Sequence, residues 1–111
     1  MLEARVVAFA VAAAAREVGA RIHTHAAESE GEVAMVSEAH GLRPVELLDT
    51  LGLLGADVVL AHAVHLDDDE IAAIARSGTS VAHCPGSNLK LGSGVARIPE
   101  LLDAGVTVGL G

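Results

Sequence analysis

Gly55-Ala-Asp-Val-Val-Leu-Ala-His62 is the stretch that decides the fold. It starts with a glycine, the residue that most easily adopts the left-handed backbone closing a helix. An aliphatic and β-branched run follows, and the run ends in histidine. The same grammar occurs in Gly19-Ala-Arg-Ile-His-Thr-His25, Gly78-Thr-Ser-Val-Ala-His83 and Gly105-Val-Thr-Val-Gly-Leu-Gly111. The apolar runs are near-continuous, the pattern expected of parallel strands covered on both faces. The four glycines are 36, 23 and 27 residues apart. Those spacings bracket the ~30 residues of one βα unit in an eight-fold barrel of about 250 residues.

The segments between these runs read as helices. Leu2 to Val18 is alanine-rich and is expected to be a buried helix closed by Gly19. Glu30 to His40 opens on acidic residues, which favour a helix N-terminus. Arg43 to Leu51 carries Pro44 where the first helical position falls. Asp68 to Arg76 and Ile98 to Ala104 complete the set. Helix and strand alternate, so the class is α/β with a parallel sheet, and no linker divides residues 1–111. A small nucleotide-binding α/β module is the competing architecture. It lacks support, because no Gly-x-Gly-x-x-Gly follows a strand. In Gly86-Ser-Asn-Leu-Lys-Leu-Gly92 the lysine precedes the second glycine, unlike a phosphate loop.

Composition narrows the function. The 7 basic and 15 acidic residues give a net charge of −8, which argues against a nucleic-acid partner. A hydrophobic content of 51% argues against disorder. The single cysteine, Cys84, excludes an internal disulfide and a cysteine-rich zinc module. Arg5 followed by Val6 to Ala15 has the outline of a signal peptide, but Glu3 offsets the charge. The run is also far short of the ~20 apolar residues of a membrane span. A soluble, cytoplasmic chain without a membrane partner is the expectation.

Three of the four strands end in histidine: His25, His62 and His83. In parallel barrels the C-terminal strand ends build the active site. Imidazole binds zinc and also serves acid–base chemistry near neutral pH. His23 shares a strand face with His25. Glu28 lies three residues past His25, where a carboxylate could move the proton of a metal-held water. Glu30 fits better as a helix N-terminal acid.

Three segments, His25-Ala-Ala-Glu28, Leu60-Ala-His62-Ala-Val-His65-Leu66 and Ala82-His83-Cys-Pro-Gly-Ser-Asn-Leu-Lys-Leu-Gly-Ser-Gly94, followed by Leu102 to Gly111, resemble the amidohydrolase superfamily. The nearest branch holds methylthioadenosine/S-adenosylhomocysteine deaminases, guanine and 8-oxoguanine deaminases and s-triazine hydrolases. The resemblance implies the C-terminal half of a metal-dependent (β/α)8 TIM barrel, strands 5 to 8. It implies one divalent metal, zinc or iron, and a small heterocyclic substrate. His25 corresponds to the strand 5 metal ligand and Glu28 to the proton-shuttling glutamate. His62 corresponds to the strand 6 histidine that hydrogen-bonds hydroxide or substrate. His83 and Asn88 fall in a strand 7 motif that shapes the substrate site. His65 would orient the loop after strand 6, and Cys84 would be a buried small hydrophobe.

His23-Thr-His25 could instead be the family's strand 1 HxH, but the later motifs follow in strand 6, 7 and 8 order. On the strand 5 assignment the chain has no strand 1 HxH and stops at Gly111, where the strand 8 aspartate would follow. One of four implied ligands is then present. Weak metal binding and no deaminase turnover are expected of the isolated chain. For the whole barrel the implied reaction is hydrolytic deamination of a purine or related N-heterocycle, with triazine chloro- or alkylaminohydrolysis as the alternative. A half barrel leaves open strand edges, so a homo-oligomer, or even a non-catalytic self-associating α/β scaffold, is a further expectation.

Overall fold

The computed structural model describes residues 2–111, with side chains from residue 6 onward. The strands are β1 (Ile22–Ala26), β2 (Val58–His62), β3 (Ser80–His83) and β4 (Val108–Leu110). The helices are α1 (Leu2–Glu17), α2 (Glu30–His40), α3 (Pro44–Thr50), α4 (Asp68–Ser77), α5 (Pro85–Lys90) and α6 (Ile98–Asp103). The four strands pair in parallel in the order β1-β2-β3-β4. Chain order without reversal is the order of a barrel wall, whereas a doubly wound sheet reverses at a switch point. The fold is therefore α/β, a run of βα units of the (β/α)8 kind.

Local sequence accounts for most element boundaries. Asp67 and Glu70 cap α4 reciprocally. Asp67 Oδ1 accepts the Glu70 N–H at 2.8 Å, and Glu70 Oε1 accepts the Asp67 N–H at 3.1 Å. Gly19, Gly78 and Gly105 have φ of +72°, +77° and +87°, as expected of helix-closing glycines. Gly55 departs from the pattern: the left-handed residue after α3 is Gly52, at +71°. Gly55 instead donates its N–H to Thr79 Oγ1 at 2.9 Å, tying the entry of β2 to that of β3.

The core forms where β2 and β3 meet the helices. Val58, Leu60 and Val81 pack with Val45, Ile71, Ile74 and Leu101. Burying each such aliphatic side chain contributes roughly 1.5–3 kcal/mol. Two sequence expectations are corrected here. First, α1 is not a buried helix: only an alanine stripe, Ala8, Ala12 and Ala15, meets the core, while Val6, Val7, Phe9 and Val11 are exposed. Ala8, Ala12 and Ala15 recur at i, i+4 and i+7 on one face, and the larger apolar residues fall on the others. Second, β1 is not covered on both faces: Ile22 and Ala26 are buried, but His23 and His25 are exposed. A further element, α5, lies inside the strand 7 motif, where no helix was expected; it is short and contains glycine and serine, with no apolar period to betray it.

Candidate active site at the strand ends

His25 and His62 end adjacent strands, with Ala26 in register with His62 and His25 with Ala61. Strict alternation would place the His62 ring on the face of Leu60, away from His25. The backbone overrides this. His62 and Ala63 have φ of +75° and +47°, and Ala27, at the corresponding end of β1, has +54°. A left-handed non-glycine residue costs about 1–2 kcal/mol, so the packing around these strand ends holds the strain. The turn brings His62 Nε2 to 3.0 Å from His25 Nδ1 and to 3.7 Å from Glu28 Oε2. The three side chains each aim a ligand-type atom into one space, all within 4.8 Å of one another.

Asn88 backs this cluster. It is 1% exposed, and its Oδ1 lies 2.8 Å from His62 Nδ1. A carbonyl oxygen only accepts, so His62 Nδ1 carries a proton, and its Nε2 faces His25 and Glu28. Asn88 thus reaches the site through His62. His83 is not drawn into the cluster; it lines a small cavity with Pro85, Asn88, Leu89, Gly94 and Val95. Its buried Nδ1, like Asn88 Nδ2, has no hydrogen-bond partner among the described residues. His23 stacks alongside His25 with ring centroids 6.4 Å apart.

The loop after β2 is braced from two sides. His65 Nε2 donates to the Ser93 carbonyl at 2.5 Å, linking the loop to the segment beyond α5. Arg43 Nη2 donates to the His65 carbonyl at 3.0 Å, and its Nε meets the buried Glu70 at 2.7 Å. The hydrogen bond to Glu70 holds the Arg43 guanidinium more firmly protonated than usual. Cys84 is half-buried, not fully buried: it stands at the N-cap of α5, where β3 gives way to the helix, and its Sγ–H donates to the Ala82 carbonyl at 3.5 Å.

Register and the His62 turn bring together the three side chains singled out in the sequence, His25, Glu28 and His62, as a group that could hold a metal ion. A residue absent from the sequence reading, Glu32, accepts the N–H groups of Ala27 at 2.6 Å and Glu28 at 3.1 Å. Its signal was present as Ser29-Glu30-Gly31-Glu32, a capping-box spacing ahead of α2.

A parallel sheet in barrel order gathers imidazoles and a carboxylate at its C-terminal strand ends, where (β/α)8 barrels build their sites. The chain belongs to the amidohydrolase family, whose model matches residues 6–111. It is 54% identical over 90 residues to a 5-methylthioadenosine/S-adenosylhomocysteine deaminase of Haloarcula marismortui, covering 81% of this chain and 21% of the relative. It is 52% identical over 97 residues to a 5'-deoxyadenosine deaminase of Methanopyrus kandleri, covering 87% and 22%. Among solved structures, a zinc-bound adenosine deaminase from Xanthomonas campestris superposes with a TM-score of 0.93 at 36% identity, over 96% of this chain and 24% of that one. A zinc complex of an atrazine chlorohydrolase from Arthrobacter aurescens superposes with a TM-score of 0.90 at 36% identity, over 96% and 23%. The chain thus spans about a fifth to a quarter of the length of these proteins. Among the described residues, no helix is long and apolar enough to cross a membrane.

Proposed function

We propose that residues 1–111 supply strands 5 to 8 of a metal-dependent amidohydrolase barrel that deaminates the purine ring of a small 5'-substituted adenosine. The observation that carries this is the convergence of His25, Glu28 and His62 at adjacent strand ends. The deaminase reading is preferred to triazine hydrolysis because the relatives at 54% and 52% identity are named deaminases, whereas at 36% identity an adenosine deaminase and a chlorohydrolase match equally.

The residues fit a divalent ion, zinc or iron. Imidazole nitrogen and carboxylate oxygen are donor types of a catalytic zinc site, and the ligand-type atoms of His25, Glu28 and His62 lie within 4.8 Å of one another. His25 would hold the ion, with His62 and Glu28 beside it. When bound, the ion would act as a Lewis acid that lowers the pKa of water towards about 7.

The chain's own residues do the rest. Glu28, partly open to solvent, takes one proton from the attacking water and delivers it to the ring nitrogen, then takes the second from the added hydroxyl and delivers it to the departing amine, which leaves as ammonia. Water oxygen replaces the exocyclic amine on the ring carbon, and ammonia leaves. His62, with Nδ1 committed to Asn88, turns Nε2 to the same space. There it faces the water and the attacked centre and stabilises the charge that develops on it. His83 and Asn88 shape the substrate side, Asn88 by acting through His62. The reading carries a cytoplasmic setting, a heterocyclic small-molecule substrate and no nucleic-acid partner. It also allows self-association through the outer edges of β1 and β4.

The test is a chimaera in which residues 6–111 replace the matched stretch of the Haloarcula marismortui deaminase. Ammonia release from 5'-methylthioadenosine or S-adenosylhomocysteine is expected, falling by about 10²–10⁴-fold in Glu28→Gln. A folded, zinc-loaded chimaera whose turnover ignores that substitution would overturn the assignment.

A further inference from the structure

We propose that Glu32 is a positioning residue that sets the Glu28 carboxylate against His62. In an ordinary capping box the glutamate at the third helical position reaches back to the N–H of the capping residue. Here Ser29 caps α2, its Oγ accepting the Glu32 N–H at 3.1 Å. The Glu32 carboxylate reaches past Ser29. Its Oε2 takes the Ala27 N–H at 2.6 Å and its Oε1 takes the Glu28 N–H at 3.1 Å. Charge-assisted bonds of this kind are shorter and roughly twice as strong as neutral ones.

The other side of the same peptide is held as well. The Ala27 carbonyl accepts N–H groups from both Val64 and His65 at 3.0 Å, and the Ala26 carbonyl accepts that of Ala63 at 3.0 Å. Ala27 is fully buried and left-handed, with φ of +54°. The turn bearing Glu28 is therefore clamped between the Glu32 carboxylate and the loop that follows His62. With two N–H groups satisfied by one carboxylate, the strained turn has little freedom to relax. Without it, two donors lose their acceptor and Glu28 can swing relative to His62 Nε2, now 3.7 Å away. A displacement near 1 Å in a reacting group can cost about 10²-fold in rate.

The catalytic half of this inference rests on the deaminase reading, whereas the clamp does not, so the experiment has two arms. In the 111-residue chain, amide hydrogen exchange is followed by NMR for wild type, Glu32→Ala and Glu32→Gln. Glu32→Ala is expected to speed exchange at Ala27 and Glu28 by about tenfold or more, with Ile74 and Val81 unchanged. Glu32→Gln, nearly isosteric and able to serve only one of the two donors, should expose one amide and protect the other. Unchanged exchange at both amides in both variants overturns the proposal. In the chimaera, kcat should fall about 10–100-fold in Glu32→Ala with KM within about twofold, and Glu32→Gln should recover part of it. Loosened amides with an unaltered kcat also overturn the positioning role. An unsubstituted chimaera without turnover sinks the deaminase reading alone, and the exchange data then decide the clamp.

Discussion

Replacing Glu70 by glutamine should weaken the fold far more than an isosteric change usually does. Glu70 is fully buried and its carboxylate accepts three N–H groups: Arg43 Nε at 2.7 Å, Val45 N at 2.9 Å and Asp67 N at 3.1 Å. Oε1 serves Arg43 and Asp67, while Oε2 serves Val45. A glutamine oxygen can replace only one of these. If it faces Arg43, its NH₂ meets the Val45 N–H donor to donor, and a buried unsatisfied donor costs about 1–3 kcal/mol. The Arg43 bond also loses its charge assistance, worth about another 1 kcal/mol. Arg43 is 31% exposed, so its own charge rehydrates and that part is the smaller. The sum, about 2–4 kcal/mol, is a large part of the about 6–17 kcal/mol expected for 111 residues. With a urea m-value of about 2 kcal/mol/M, the midpoint should drop by about 1–2 M at unchanged slope. Far-UV circular dichroism during urea titration measures it. A drop under about 0.3 M would refute the assignment of Glu70 as the buried acceptor that joins α3 to α4.

Two further outcomes are expected. The hydrogen bond from Arg16 holds the Asp57 carboxyl below the usual carboxylate range. A depressed carboxylate stabilises the fold above its unfolded pKa, and that contribution is lost as pH falls through the folded value. Asp57→Asn should therefore lower the urea midpoint at pH 7 and flatten its decline below about pH 4; an acid limb parallel to wild type contradicts this. Gly78→Ala should cost about 1–2 kcal/mol, because φ is +77°. The nearest side-chain atom to a new Cβ, Ala56 Cβ, is an ordinary 3.6 Å away, so strain and not crowding is the cause. Thermal melts should show Tm falling by several degrees, while Gly86→Ala, with open space and no positive φ, should show no fall.

Much of this protein is written locally. The β-branched runs ending at His25, His62 and His83 became β1, β2 and β3, because extended preference and apolar content act over a few residues. The acidic starts and glycine stops of α2 and α4 likewise fell where backbone capping needs them. Histidine at successive strand ends marked the site, since a parallel sheet brings equivalent strand ends to one edge. Other features required the folded chain. Alternation alone separates the His25 and His62 rings, and only the left-handed backbone at His62 reunites them. Asn88 meets His62 across 26 residues, and Glu32 reaches beyond the residue it should cap. α1 left its larger apolar residues exposed although its composition reads as core. Periodicity and propensity are properties of neighbours in the chain. Which atoms face one another depends on strand register, on torsions that packing imposes against local preference, and on the partners that three-dimensional proximity provides.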